Sequence, residues 1–171
     1  MLRHRIIPTL LLHNEGLYKT VNYNIKKGKY IGDPINAIKI FNDKGVDEVL
    51  LVPLYPHYAM SSFETVVVKT MEDKEQFFPQ MKLTTLPAFY KSPEYIKVLS
   101  ESIADGLRDF DYDHILFSYH GIPERHIRKS DPTKFHCKID GNCCDTNSVA
   151  HNTCYRHQCF ETTKKVIEHL N

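Results

Sequence analysis

Ile115-Leu116-Phe117-Ser118-Tyr119-His120-Gly121-Ile122-Pro123 decides how this chain is read. Three apolar residues stop at a polar triplet ending in a histidine, and a glycine and a proline follow within three positions. That pattern predicts a short buried strand, His114 to Phe117, that delivers His120 to a loop. In an open α/β sheet, ligands sit beyond the carboxyl ends of the strands, and an imidazole held there can bind a metal or move a proton. The same placement also suits a loop histidine that only hydrogen-bonds.

Working outward from this stretch, the chain alternates in the way a parallel sheet requires. Asp33-Pro34 reads as a helix start, with apolar positions at Ile35, Ile38 and Phe41 and a stop at Gly45. Val46 to Leu54 reads as a buried strand, Met60 to Phe78 as a helix after Ser61-Ser62, and Met81 to Leu86 as an alternating strand. Pro93 to Phe110 is an amphipathic helix, with Tyr95, Val98, Leu99, Ile103 and Leu107 along one side. Strands separated by helix-sized crossovers give the fold class α/β, a doubly wound parallel sheet. The first thirty residues, with an amphipathic piece from Leu10 to Val21, do not fit this alternation. No Gly-x-Gly-x-x-Gly follows any strand, which leaves a dinucleotide site unsupported.

The three strand exits share a chemistry. Tyr55-Pro56-His57-Tyr58, Pro87-Ala88-Phe89-Tyr90 and Tyr119-His120 each place aromatic groups where the loops should gather, which suits a flat apolar ligand with charged edges. The tyrosines would equally serve as packing at the edge of the sheet. Beyond them, Glu124 to Lys129 alternates in charge like a solvated helix, and Arg125, Arg128 and Lys129 could meet anionic groups.

A formal charge of +1 with 25% charged residues sets up no field toward nucleic acid. The most apolar early run, Ile6 to Leu12, is far short of the roughly 20 residues a bilayer crossing needs. A cytoplasmic protein with no transmembrane segment is expected. All five cysteines, Cys137, Cys143, Cys144, Cys154 and Cys159, fall after 136 residues without one, with His136, His151 and His157 among them. An odd number of crowded thiols without an export signal points to metal or cluster ligation in a reducing compartment. The spacing lacks the paired Cys-x-x-Cys of common zinc ribbons, whereas iron–sulfur ligation tolerates irregular gaps.

Leu54-Tyr55-Pro56-His57-Tyr58, Leu86-Pro87-Ala88-Phe89-Tyr90 and Phe117 to Glu124 with Asp131-Pro132 together resemble ferrochelatase, from about Gly32 to the end. The resemblance is to bacterial forms with a cysteine-rich insertion. It implies a chelatase-like, incomplete Rossmann-like lobe that acts on a porphyrin in haem synthesis, with ferrous iron as the metal substrate. It implies that His120 takes pyrrole protons or binds the iron, and that Tyr55, Tyr58 and Tyr119 line the macrocycle cleft. It also implies a [2Fe-2S] cluster held by four of the five cysteines; Cys137, Cys154 and Cys159 with either Cys143 or Cys144 is the expected set. His57 stands where the family usually has glutamine, and Ala59 where it usually has serine.

The expected organisation is a poorly matched segment 1–31, an α/β lobe 32–132, a cysteine-rich insertion 133–160, and a helix start 161–171 leading toward a second lobe. Only the middle of such an enzyme is represented, so weak or no activity alone is expected, with a missing lobe or self-association covering the sheet edge. Two other classes use the same residues: an iron–sulfur or zinc module that catalyses nothing, and a chelatase acting on another tetrapyrrole.

Overall fold

A computed structural model describes residues 47–170 continuously, together with 11–13, 16–21, 24–32 and positions 36, 39, 43 and 45. The chain divides into two compact units, Met1–Leu50 with Lys69–Thr84, and Leu51–Val68 with Thr85–Asn171.

In the first unit, β1 (Leu11–His13), β2 (Gly16–Val21) and β3 (Asn24–Gly32) form an antiparallel meander. Leu12 pairs with Leu17 and Tyr18 with Tyr30, with irregular register along the second ladder. The amphipathic piece read across Leu10 to Val21 is thus two strands, apart from Leu10 and the turn, which lie outside the described residues. Of the helix expected from Asp33 to Gly45, only Asn36, Lys39 and Asp43 are described, and they are helical. Gly45 follows at φ +71°, the left-handed conformation in which glycine commonly ends a helix.

β4 (Glu48–Leu51) and β5 (Lys82–Thr85) make the second sheet. The Lys82 amide donates to the Asp47 carbonyl at 2.9 Å and the Leu86 amide to the Leu51 carbonyl at 2.8 Å. Partner numbers rise together, so the pair is parallel, as the alternation predicted. Two expectations are corrected. His114 to Phe117 forms no strand, and Leu116 is 92% exposed: an apolar run becomes a strand only where a neighbour accepts its hydrogen bonds. The strand expected to be buried is half open, with Leu50 at 61% exposure, because parallel strands are buried only where helices cover both faces. The fold is α/β with a small parallel sheet.

Among the continuously described residues the helices are α1 (Thr65–Phe77), α2 (Pro93–Leu107), α3 (Glu124–Ser130) and α4 (Tyr155–Leu170). A π turn, Met60–Glu64, leads into α1, with the Glu64 amide donating to the Ala59 carbonyl at 3.1 Å. Ser92 caps α2, its hydroxyl accepting from the Tyr95 amide at 3.2 Å, and Pro93 opens the helix where no amide is needed. In the second unit α2 packs on α4. Ile96 and Ser100 of the one, and Gln158, Thr162 and Val166 of the other, are buried at helical spacing. Ile127, Cys137, Ala150 and Cys154 form a further buried cluster against which Ile122 and Ile139 pack. No helix among the described residues is long and apolar enough to cross a membrane.

Candidate functional site

The first half of α4 gathers the loops that carry the aromatic motifs. Its buried Thr162 donates its hydroxyl proton to the Tyr90 carbonyl at 2.8 Å. His57 Nε2, 3.0 Å from the same oxygen, must then be the donor to Thr162. Burial lowers the His57 pKa and holds the ring neutral. Its ring meets Tyr119 and Tyr155 edge-on, with centroids 5.6 and 5.9 Å away. His57 is therefore engaged in structure, with its proton fixed.

Thr163 donates to the Cys159 carbonyl at 3.1 Å, which leaves the Tyr119 hydroxyl to donate to Thr163 at 2.8 Å. The Tyr155 hydroxyl is hydrogen-bonded to the main chain of His120 and to the Cys159 thiol. Burial, followed by Cys159, raises the Tyr155 pKa to about 12. Burial also raises Tyr119. The Tyr58 amide donates to Gln158 Oε1 at 2.7 Å. The Tyr58 hydroxyl is held neutral by burial, then by its hydrogen bond and charge contact with Glu64. Tyr58 also packs against Phe63 at 5.8 Å.

Of the four residues expected at the cleft, the structure thus tethers Tyr58, Tyr119 and His120 to one helix, while Tyr55 is exposed with no such tether. The His120 side chain is exposed, anchored through its backbone. Sequence reading missed the tethers themselves, Tyr155, Gln158, Thr162 and Thr163. Polar residues spaced i, i+4 along the buried stripe of an otherwise ordinary helix were their signal.

The cysteine-rich segment is folded around Asp131, which is 2% exposed. Its carboxylate accepts the amides of Thr133 (2.8 Å), His136 (2.8 Å) and Cys137 (2.9 Å), and the Thr133 hydroxyl (2.7 Å). Burial alone would raise its pKa, but those four donors outweigh it and hold the carboxyl at about 2. The interleaved histidines do not present these nitrogens to a metal. His136 Nε2 and His151 Nε2 donate to the Cys143 carbonyl at 2.8 and 3.1 Å, and His157 Nδ1 donates to that of Cys144 at 3.0 Å. The rings of His151 and His157 stack at 3.6 Å, and burial first, with His151 contributing, lowers the His157 pKa.

All five cysteines are buried and unpaired. The Cys137 thiol hydrogen-bonds that of Cys154 and feels Cys143, and burial with these neighbours raises it to about 12. Cys144 is raised to about 12 by burial, Cys154 and Cys143. Cys159 points instead to Tyr155, and Cys154 is the other thiol that acts on it. The sulfur-rich donor set has the chemistry of a soft-metal site, and the thiols neighbour one another. Yet among the described residues no group of three or more His, Cys, Asp or Glu side chains is arranged to hold a metal ion. Burial favours the protonated form of the Cys137, Cys144 and Cys159 thiols.

Over residues 15–171 the chain matches the ferrochelatase family model, which starts ahead of the Gly32 at which the motifs begin to resemble that family. It is 49% identical over 120 residues to a ferrochelatase of Opitutus terrae, covering 70% of this chain and 34% of that protein. It is 39% identical over 129 residues to a ferrochelatase of Stutzerimonas stutzeri, covering 75% and 38%. A ferrochelatase of Ectopseudomonas mendocina is 40% identical over 129 residues, covering 75% and 37%. The chain therefore spans little more than a third of the length of the curated relatives it matches. No solved structure matches it. With a chelatase-like α/β fold and a match over nearly its whole length, the chain belongs to the ferrochelatase family of lyases.

Proposed function

We propose that this chain supplies the histidine-bearing part of an enzyme that inserts ferrous iron into a porphyrin in haem synthesis. One observation carries the reading: a single helix, α4, binds the loops of Tyr58, Tyr119 and His120, while leaving the His120 side chain exposed. As ferrous iron enters the macrocycle, two pyrrole N–H protons leave. His120 is the group proposed to accept a proton or to hand over the metal, as a neutral imidazole can do either near neutral pH. Tyr55, Tyr58 and Tyr119 are the proposed porphyrin contacts, and raised tyrosine pKa values suit hydroxyls that stay neutral beside an apolar ring.

The finer points of the reading go with it. The two parallel strands are proposed as part of a doubly wound sheet, the arrangement that strands alternating with helix-sized crossovers imply. The 171 residues alone are proposed to turn over weakly or not at all, since a porphyrin held on one side loses much of its burial. Five unpaired thiols suit the reducing cytoplasm.

A [2Fe-2S] cluster on four of the five cysteines stays a proposal, with Cys137, Cys154 and Cys159 and either Cys143 or Cys144 as the expected set; no reaction step is routed through it. Anaerobic purification with iron and acid-labile sulfide assay tests the cluster. Porphyrin titration of wild type and His120→Ala tests the cleft, and a colourless protein indifferent to porphyrin would favour a non-catalytic binding module instead.

A further inference from the structure

Gln158 is fully buried, and its amide faces two ways. Its Oε1 accepts the Tyr58 amide at 2.7 Å, while its Nε2 donates to the carbonyls of His151 (3.1 Å) and Asn152 (3.0 Å). Those carbonyls belong to the turn Val149–Asn152 inside the cysteine-rich segment, where Ala150 is fully buried in the cluster that holds Cys137 and Cys154. One side chain therefore joins the aromatic loop to the turn of the thiol-bearing segment, with Tyr58 and Gln158 a hundred residues apart in sequence. If either segment moves away, a buried polar atom is left without a partner. An apolar side chain could fill the space, but could not make the connection.

We propose that Gln158 is a positioning residue that makes the cysteine-rich segment and the Tyr55–Tyr58 loop open and close as one unit. Its consequence for substrate rests on the porphyrin reading above: whatever orders the thiol segment also sets how firmly Tyr58 is presented. Coupling of this kind is reciprocal, so a porphyrin contact at Tyr58 would in turn steady the thiols.

Amide hydrogen exchange on the 171-residue chain tests it without metal or porphyrin. Thr153→Val removes the hydroxyl that donates to the Ser130 carbonyl at 2.7 Å, loosening the segment at a place that does not touch Tyr58. With Gln158 present, this change should speed exchange at Tyr58 and at His151 and Thr153 together, by about tenfold each. In a Gln158→Met background the Tyr58 amide should already exchange about tenfold faster, and Thr153→Val should then affect only His151 and Thr153. A Tyr58 amide that ignores Thr153→Val in the presence of Gln158 overturns the proposal, as does one that still follows it in Gln158→Met. Should Gln158→Met lose protection throughout α4, Gln158→Asn replaces it, since it keeps an amide too short to span both segments. Porphyrin titration of the same proteins separates the claims. No binding by any of them removes the substrate reading while the exchange coupling stands. Equal affinity in wild type and Gln158→Met removes the proposed consequence for substrate.

Discussion

The face around His120 and the cysteine-rich segment are both dense in titratable groups, yet they treat them in opposite ways. In the cysteine-rich segment the polar groups satisfy one another: Asp131 is saturated by four donors, and His136, His151 and His157 are all engaged with main-chain carbonyls of Cys143 and Cys144. On the His120 side, His57 is fixed by Thr162 and Tyr119 by Thr163, but the His120 imidazole stays exposed. The side chain proposed to meet a substrate is left exposed, while its neighbours in the motif loops are not. A histidine's chemistry is thus decided by what its nitrogens already hold, rather than by its place in a motif.

The largest effect should come from breaking the exposed side of this contrast. Wherever the proposed iron insertion into porphyrin is measurable, His120→Ala is expected to lower it by about 10²- to 10⁴-fold, the usual contribution of a general acid or base. Urea unfolding should change by less than about 0.5 kcal/mol, as for other exposed side chains. A comparable loss of activity from His57→Phe, with no effect in His120→Ala, would reverse the assignment.

The buried side is sharpened by Asp131→Ala, which should cost about 3 kcal/mol of stability by orphaning four donors. The same carboxylate predicts an acid limb. Its folded pKa of about 2 lies below the ordinary 3.8, so its stabilisation is present above about pH 4. As pH falls toward about 2, roughly 2 kcal/mol should be lost, and Asp131→Asn should remove that limb from the stability profile.

His57→Phe should cost about 1–2 kcal/mol through the lost donation to Thr162. Because burial already holds His57 neutral, the pH profile of activity should keep its shape. The smallest effect tests the exposed pair on α3: Glu124→Gln removes its 3.5 Å contact with Arg128 and should change stability by less than about 0.5 kcal/mol.

Much of this was legible in the residues. The periodicity of Met60 to Phe78 and Pro93 to Phe110 located α1 and α2, and the alternation at Met81 to Leu86 marked β5. The failures have one cause, dependence on a neighbour. His114 to Phe117 has strand composition, but composition does not supply a ladder partner. The pairing of β1, β2 and β3 depends on partner strands that local amphipathicity does not reveal. At the site, the aromatic loops were visible because their residues are unusual at strand ends. Gln158, Thr162 and Thr163 were not, because a glutamine or threonine on a helix becomes meaningful only when the loop it holds is known to be there. The sequence placed the histidines among the cysteines, but not their engagement with carbonyls, a matter of distances across a folded loop.

The contrast between an engaged shell and a free histidine is tested most directly by porphyrin fluorescence titration of wild type, His120→Ala and His57→Ala. The account predicts that wild type binds, that His120→Ala loses the spectral response to bound porphyrin, and that His57→Ala keeps that response with weakened affinity. An unchanged response in His120→Ala, beside a response abolished in His57→Ala, would contradict it.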